Sequence, residues 1–343
     1  MSERVMAKVV RVDAISPIDG ADAIGVAQIG GWKVVVKKGE FNVNSMAVYC
    51  EIDSFIPHSI APFLTKEGQF PKVYNEVEGQ RLRTIKLRGQ ISQGLLLPMS
   101  IRGSDGLVVG ALFTEGDDVT EFLGIQKWEP PQEFRAANAK GSFPHFIPKT
   151  DQERIQNLSR SLEKWNAEEH QWQCTEKIDG SSMTVFYKDG EVGVCSRNLE
   201  LKDDGTSTFW ETAKSEGLVE KLIAVGKNIA LQGELIGGNI QGNAYKADKF
   251  QFHLYDIFDI DSQEYLTPGD VEGTALQLNI RHVPVFGQFT TFNVRMEDLI
   301  AYAEGKSVVG AKPEREGLVF KSLTEPGTSF KVISNRWLLK NEG

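Results

Sequence analysis

The sequence predicts an α+β protein in two parts, an N-terminal β-barrel module followed by a mixed α+β domain. Three observations predict it. Between Ala7 and Pro57, short Val- and Ile-rich runs (8–11, 32–36, 47–50) alternate with turn residues at Asp19-Gly20, Gly30-Gly31 and Lys38-Gly39, the texture of a small barrel or sandwich. From about Trp128 to Pro148 stand Pro130, Pro131, Pro144 and Pro148, which exclude long helices and central strands. Beyond them, strand and helix signals mix without a regular βαβ alternation. A length of 343 residues suits about two domains of roughly 150 residues each. The expected division is 1–127 for the barrel, 128–148 for a linker and 149–343 for the second domain.

A second β-rich piece runs from Arg81 to Pro98, and residues 100–125 complete or decorate the first module. In the second domain, Thr150 and Glu153 have capping-box spacing ahead of Ile155, Leu158 and Leu162, so a helix is expected to start there. From Gln173 the pattern turns to strand, with Asp189-Gly190 as a two-residue hairpin turn. Helices are expected over about 206–225 and 294–303, and strands over 229–236, 250–258 and 316–322.

Composition narrows the function. The chain is 41% hydrophobic and 25% charged with a mean hydropathy of -0.27, the profile of a soluble globular protein. No apolar run reaches the ~18 residues of a membrane helix, and the first residues lack a signal peptide's apolar stretch. The expected location is the cytoplasm, with no membrane association. Cys50, Cys174 and Cys195 are odd in number and far apart, and the five histidines lack ligand spacing, so neither a disulfide framework nor a transition-metal site is expected. The net charge of -9 is uneven: residues 1–100 hold 12 Lys+Arg against 10 Asp+Glu, the remainder 26 against 37. Any nucleic-acid surface must therefore be a local patch. The densest basic run is Arg81, Arg83, Lys86 and Arg88, which suits tracking of a phosphate backbone or a charged edge strand.

The chemistry concentrates in Glu176-Lys177-Ile178-Asp179-Gly180-Ser181-Ser182. In an extended chain Lys177 and Asp179 share a face while Ile178 packs behind, and Gly180 permits a sharp turn. A lone lysine is by default a solvated charge. This one is followed in order by Ser196-Arg197-Asn198, Leu231-Gln232-Gly233-Glu234-Leu235, Phe252-His253-Leu254-Tyr255-Asp256, Glu316 to Lys321, and Ser329-Phe330-Lys331. Glu234 and Glu316 alone would be strand-end acids, the two aromatics core residues, and Lys321 and Lys331 ordinary strand lysines; their joint order overturns that reading.

That order resembles the covalent nucleotidyltransferases, which comprise polynucleotide ligases and mRNA capping enzymes, over residues 174–333. Only 12 residues follow Lys331, too few for the C-terminal OB barrel of DNA ligases and capping enzymes. An N-terminal OB-like module joined to a nucleotidyltransferase resembles the Deinococcus-type RNA ligases, as do Gly39-Glu40-Phe41, Glu51 to Ser54, Lys86 to Gln90 and Pro148 to Ile155. The resemblance implies an ATP-dependent RNA ligase that carries AMP on Lys177, uses Mg²⁺ or Mn²⁺, and joins 3′-OH to 5′-phosphate RNA ends. It leaves protein partners unknown. The alternatives are a GTP-dependent capping enzyme and a non-catalytic binding protein with a decayed transferase domain.

The residue types suit that chemistry. A free lysine has a pKa of about 10.4 and must lose its proton to attack the α-phosphorus of ATP. A divalent ion near it would help, held by Asp179, Glu234 and Glu316 through water. Lys331, with Arg197 and Lys321, would neutralise phosphate oxygens. The resemblance places Tyr255, with Phe252 as alternative, against the purine, and Glu176 beside the nucleotide. RNA ligases commonly end this motif series in a Lys-x-Lys pair, whereas Ile333 stands two residues after Lys331. Lys321, Lys149 or Arg154 would supply the second cation.

Overall fold

In a computed structural model of the chain, residues 4–129 and 138–341 are described. They fall into two compact units, Met1–Pro131 with Leu338–Gly343, and Gln132–Trp337. The first is built of short strands: β1 (Ala7–Arg11), β2 (Ala14–Ile18), β3 (Ala21–Ile29), β4 (Trp32–Lys37), β5 (Met46–Cys50), β6 (Ser54–Pro57), β7 (Lys72–Tyr74), β8 (Val77–Arg81), β9 (Thr84–Leu87), β10 (Gln90–Gln93), β11 (Leu95–Pro98) and β12 (Gln126–Lys127), with one short helix, α1 (Val109–Leu112). The β1-β5-β11 sheet and the β12-β6-β8-β7 sheet share a core of Val9, Val48, Ile56, Leu82, Leu97 and Leu123. Alternation explains this: β4 reads buried at Trp32, Val34 and Val36 and exposed at Lys33 and Lys37.

The second unit holds β13 (Ala139–Ser142), β14 (Glu153–Arg154), α2 (Ser159–Ala167), β15 (Gln171–Lys177), β16 (Ser181–Lys188), β17 (Glu191–Cys195), β18 (Leu199–Leu201), α3 (Thr208–Ser215) and α4 (Leu218–Val225). Then follow β19 (Ile229–Ile236), β20 (Gln251–Asp259), β21 (Glu264–Tyr265), α5 (Pro268–Gln277), β22 (Val285–Thr290), α6 (Met296–Ala303), β23 (Gly317–Ser322) and β24 (Ser329–Ile333). A last helix, α7 (Asn335–Asn341), closes the described chain. One sheet has seven strands in the order β13-β18-β17-β16-β19-β20-β21, the other five in the order β14-β24-β23-β15-β22. Helices α3, α4 and α5 cover the outer face of the first through Phe209, Leu218, Leu222 and Val271. Helices α2 and α6 cover the second through Trp165 and Leu299. No described helix is long and apolar enough to cross a membrane.

Three expectations are corrected. Residues 130–137 of the expected linker lie outside the described residues, but Ala139–Ser142 pair with β18 and Phe143, Phe146 and Ile147 pack on Phe186 and Phe258; residues 139–148 are part of the second unit. The helix expected at Thr150 begins at Ser159, because Glu153 and Arg154 pair in parallel with Phe330 and Lys331, and a ladder bond outweighs a local capping pattern. The helix expected over 206–225 is two helices, broken at Gly217 in the left-handed region (φ 67).

Candidate active site

Strand alternation decides what faces the space between the two sheets. Met183, Leu231, Leu235, Phe252 and Leu254 point to the helix-covered core, so Ser182, Gln232 and Glu234 point the other way. In the five-stranded sheet Cys174, Leu318, Phe320, Phe330 and Val332 are in the core, which turns Lys177, Lys321 and Lys331 outward. The two outward faces confront each other, since Lys321 of β23 reaches Asp256 of β20 at 2.6 Å.

Lys177 ends β15 with its Nζ 2.8 Å from Glu316 Oε1, the lysine side chain 25% exposed. Burial pulls the ammonium down, but Glu316, Glu234 and Asp179 outweigh it and hold the group above the ordinary lysine value. Burial pushes Glu234 up to about 8 in spite of Lys177, with Glu316 and Asp179 adding to the rise. The Asp179 N–H donates to the Tyr245 hydroxyl at 2.8 Å. Gly180 is required by close approach: a Cβ there would lie 2.4 Å from the Leu235 carbonyl oxygen. Glu316 Oε2 is buried and has no hydrogen-bond partner among the described residues. Among the described residues, no three His, Cys, Asp or Glu side chains lie close enough to cage an ion directly.

A β-bulge presents the aromatic. Gln232 pairs with Asp256 and Gly233 with Leu254, leaving Tyr255 as the extra residue, so Tyr255 and Asp256 both turn to the cleft. The Tyr255 hydroxyl shares a 2.8 Å hydrogen bond with Thr150 Oγ1. Phe252, the alternative, is 0% exposed in the core, its ring seated where a Cβ on Gly233 would clash at 2.4 Å. That expectation is corrected. Phe252→Ala should lose about 3–5 kcal/mol of stability, seen in denaturant unfolding, whereas Tyr255→Ala should lower nucleotide affinity with a smaller loss of stability.

The cations are brought together unevenly. Lys331 Nζ lies 3.0 Å from Asp151 Oδ1 and Arg197 lies 3.4 Å from Asp151 Oδ2. Arg154, in register beside Lys331, is buried. Lys149 donates to Asn198 Oδ1 at 2.8 Å. Lys321 is held in a buried pair with Asp256, which removes it as a second phosphate cation. Glu176 is also corrected: it shares the core-facing side of β15 with Cys174, and Oε2 accepts from the Val308 N–H at 3.1 Å. Burial raises its pKa.

Comparison with known proteins decides the family. An RNA ligase family model matches residues 170–333 and an OB-fold domain model residues 6–99. The solved structure of Naegleria gruberi RNA ligase with PPi is 43% identical, with a TM-score of 0.90 and 99% of each chain covered. The chain belongs to the RNA ligase family. A variant of the Naegleria enzyme with ATP and Mn matches at 43% identity and TM-score 0.90, over 99% of this chain and 100% of that one. Another with AMP and Mn gives the same identity and TM-score over 98% and 100%. None of the curated proteins compared matches.

Four residues of this RNA ligase's cleft were not singled out from sequence: Thr150, Asp151, Ser182 and Tyr245. Ser182 was legible, since it follows Lys177-x-Asp179-Gly180 on a strand whose alternate residues face the cleft. Thr150 and Asp151 carried a helix-start pattern that concealed them. In the ligase's OB-fold unit the basic run divides. Arg81 is bound to Asp53 at 2.5 Å and stacked 3.8 Å over Trp128, a structural role. Lys86 and Arg88 lie on the β9–β10 hairpin, with Arg88 (φ 48) and Gly89 (φ 84) forming its turn.

Proposed function

We propose that this RNA ligase joins a 3′-OH to a 5′-phosphate through three displacements at one cleft, with Lys177 as the nucleophile. The amine of Lys177 attacks the α-phosphorus of ATP, a P–N bond forms, and pyrophosphate leaves with the electrons of the broken P–O bond. An oxygen of the RNA 5′-phosphate then attacks the lysyl-bound phosphorus, giving a 5′–5′ linked adenylate and returning the amine. The 3′-OH loses its proton and attacks the 5′-phosphate, and AMP leaves. The carrying observation is Lys177 2.8 Å from Glu316, on the cleft face that also presents Lys331.

A divalent ion fits the donor set, three carboxylates of which Glu316 keeps one buried oxygen without a hydrogen bond among the described residues, all hard oxygen ligands. Asp179, Glu234 and Glu316 would hold it through its waters, and it would supply positive charge that releases the lysine proton and draws electrons from the α-phosphate. Tyr255 offers its ring to the adenine. Lys331 and Arg197 neutralise the phosphates, and Arg154, beside Lys331 in register, stands in for the missing second lysine. Residues 149–333 are the adenylyl-transferring part and the OB-fold unit is the RNA-holding part. The test is incubation with each α-labelled nucleoside triphosphate and Mg²⁺ or Mn²⁺, then a denaturing gel. Label from ATP alone supports the reading; label from GTP alone replaces it with capping chemistry.

The hairpin gives a second test. No Asp or Glu occurs between Gly79 and Ser104, and Lys86 and Arg88 are exposed there. Lys86→Ala with Arg88→Ala should lower the slope of log affinity for RNA against log salt by about 1.5, at about 0.7 to 0.9 per lost phosphate contact. Adenylylation should be unchanged. An unaltered salt slope would leave the hairpin without an RNA-binding role.

A further inference from the structure

The cations assigned to the phosphates are already engaged by a carboxylate of the same chain. Asp151 receives Lys331 at 3.0 Å on one oxygen and Arg197 at 3.4 Å on the other. Its neighbour Thr150 is tied to the hydroxyl of Tyr255 at 2.8 Å, the ring assigned to the base, and Lys149 is tied to Asn198 at 2.8 Å, next to Arg197. Three consecutive residues thus lie along the track of a nucleotide, with a carboxylate where phosphate oxygens need positive charge.

A triphosphate and a carboxylate cannot both use this pair of cations. Leaving Asp151 in place would put like charges side by side and would cancel the attraction that Lys331 and Arg197 offer. The pair is also of intermediate exposure, 12% for the Lys331 side chain and 30% for Asp151, so it is drier than a surface ion pair yet open enough for a ligand to displace.

Resting on the assignment of Lys331 and Arg197 to the phosphates, we propose that Asp151 is a displaceable internal anion, which occupies those cations until the triphosphate of ATP replaces it. Its charge sets the ATP concentration at which Lys177 becomes adenylylated. When pyrophosphate leaves, Asp151 returns to the same cations and competes with pyrophosphate for them, which disfavours reversal of the first step.

The test is the single-turnover rate of adenylylation against ATP concentration in the full chain carrying Asp151→Asn, with Asp151→Ala as a second variant and thermal melting to confirm folding; KM is here the ATP concentration at half-maximal rate and kcat the maximal rate. The KM for ATP should fall about fivefold, the scale of a partly exposed ion pair, and kcat should not fall. Pyrophosphate should discharge the adenylylated variant at lower concentration than the adenylylated wild type. A KM that is unchanged or raised in both variants overturns the proposal. So does a fall in kcat at constant KM, which would make Asp151 a positioning residue for Lys331. Lys331→Ala separates the two levels. If it raises the KM while the Asp151 variants do not lower theirs, the phosphate assignment stands and only this inference falls. If Lys331→Ala leaves the KM unaltered, both fall.

Discussion

Replacing Lys177 by Ala is expected to abolish covalent label from α-labelled ATP while leaving the melting temperature near that of the wild type. Its Nζ packs against no apolar core; it meets Glu316 at 2.8 Å at the open end of β15. Lys177→Arg should fail equally, because a guanidinium is not deprotonated at working pH. Chelation of the divalent ion should have the same outcome for a separate reason. Without that ion, the three carboxylates hold Lys177 above its ordinary value, so at neutral pH it stays an ammonium with no lone pair to attack phosphorus. With metal present the rate should rise with pH through the neutral range, as the neutral amine becomes more populated. Label persisting in Lys177→Ala on a denaturing gel would refute the mechanism.

What was legible in the sequence follows the range of the forces involved. The strand over Ile229–Ile236 and the hairpin closed by Asp189-Gly190, both with positive φ (51 and 92), are set by local turn chemistry and period-two alternation. The same alternation turned Lys177 away from the core that takes Cys174, but the strand ends at Lys177, and Ile178 joins Ile236, Tyr245 and Val283. Three features were not legible because distant partners decide them. The parallel pairing of Glu153 and Arg154 with β24 overrode the Thr150 helix signal. The bulge at Tyr255 arises from the pairing of β20 with β19, and no reading of Phe252 to Asp256 alone could choose between the two rings. Arg81 read as a free cation until Asp53 and Trp128, 28 and 47 positions away, closed on it. One local signal went unused: Thr267 caps α5 with Pro268 in its first turn, a start pattern plain in the sequence.

Glu316→Gln should lower the rate of adenylylation by about 10² to 10³, the usual effect of removing a preorganised charge, with little change in fold because the amide keeps the shape. Glu234→Gln should have an effect of similar size. The two possible roles of Glu316, a strand-end acid that merely pairs with Lys177 or a group that acts on the reaction, make opposite forecasts. A mere partner stabilises the ammonium, so its removal would free the amine and raise the rate at neutral pH. An acting carboxylate brings positive charge to the α-phosphate, and its loss slows the step whatever the state of the lysine. Both influences can be read from one pH profile. Because Glu316 helps hold the Lys177 pKa up, the rising limb of the Glu316→Gln profile should move to lower pH while its plateau falls. Equal or faster adenylylation in Glu316→Gln at saturating Mg²⁺ would reduce Glu316 to an ion-pair partner and leave the metal site to other residues.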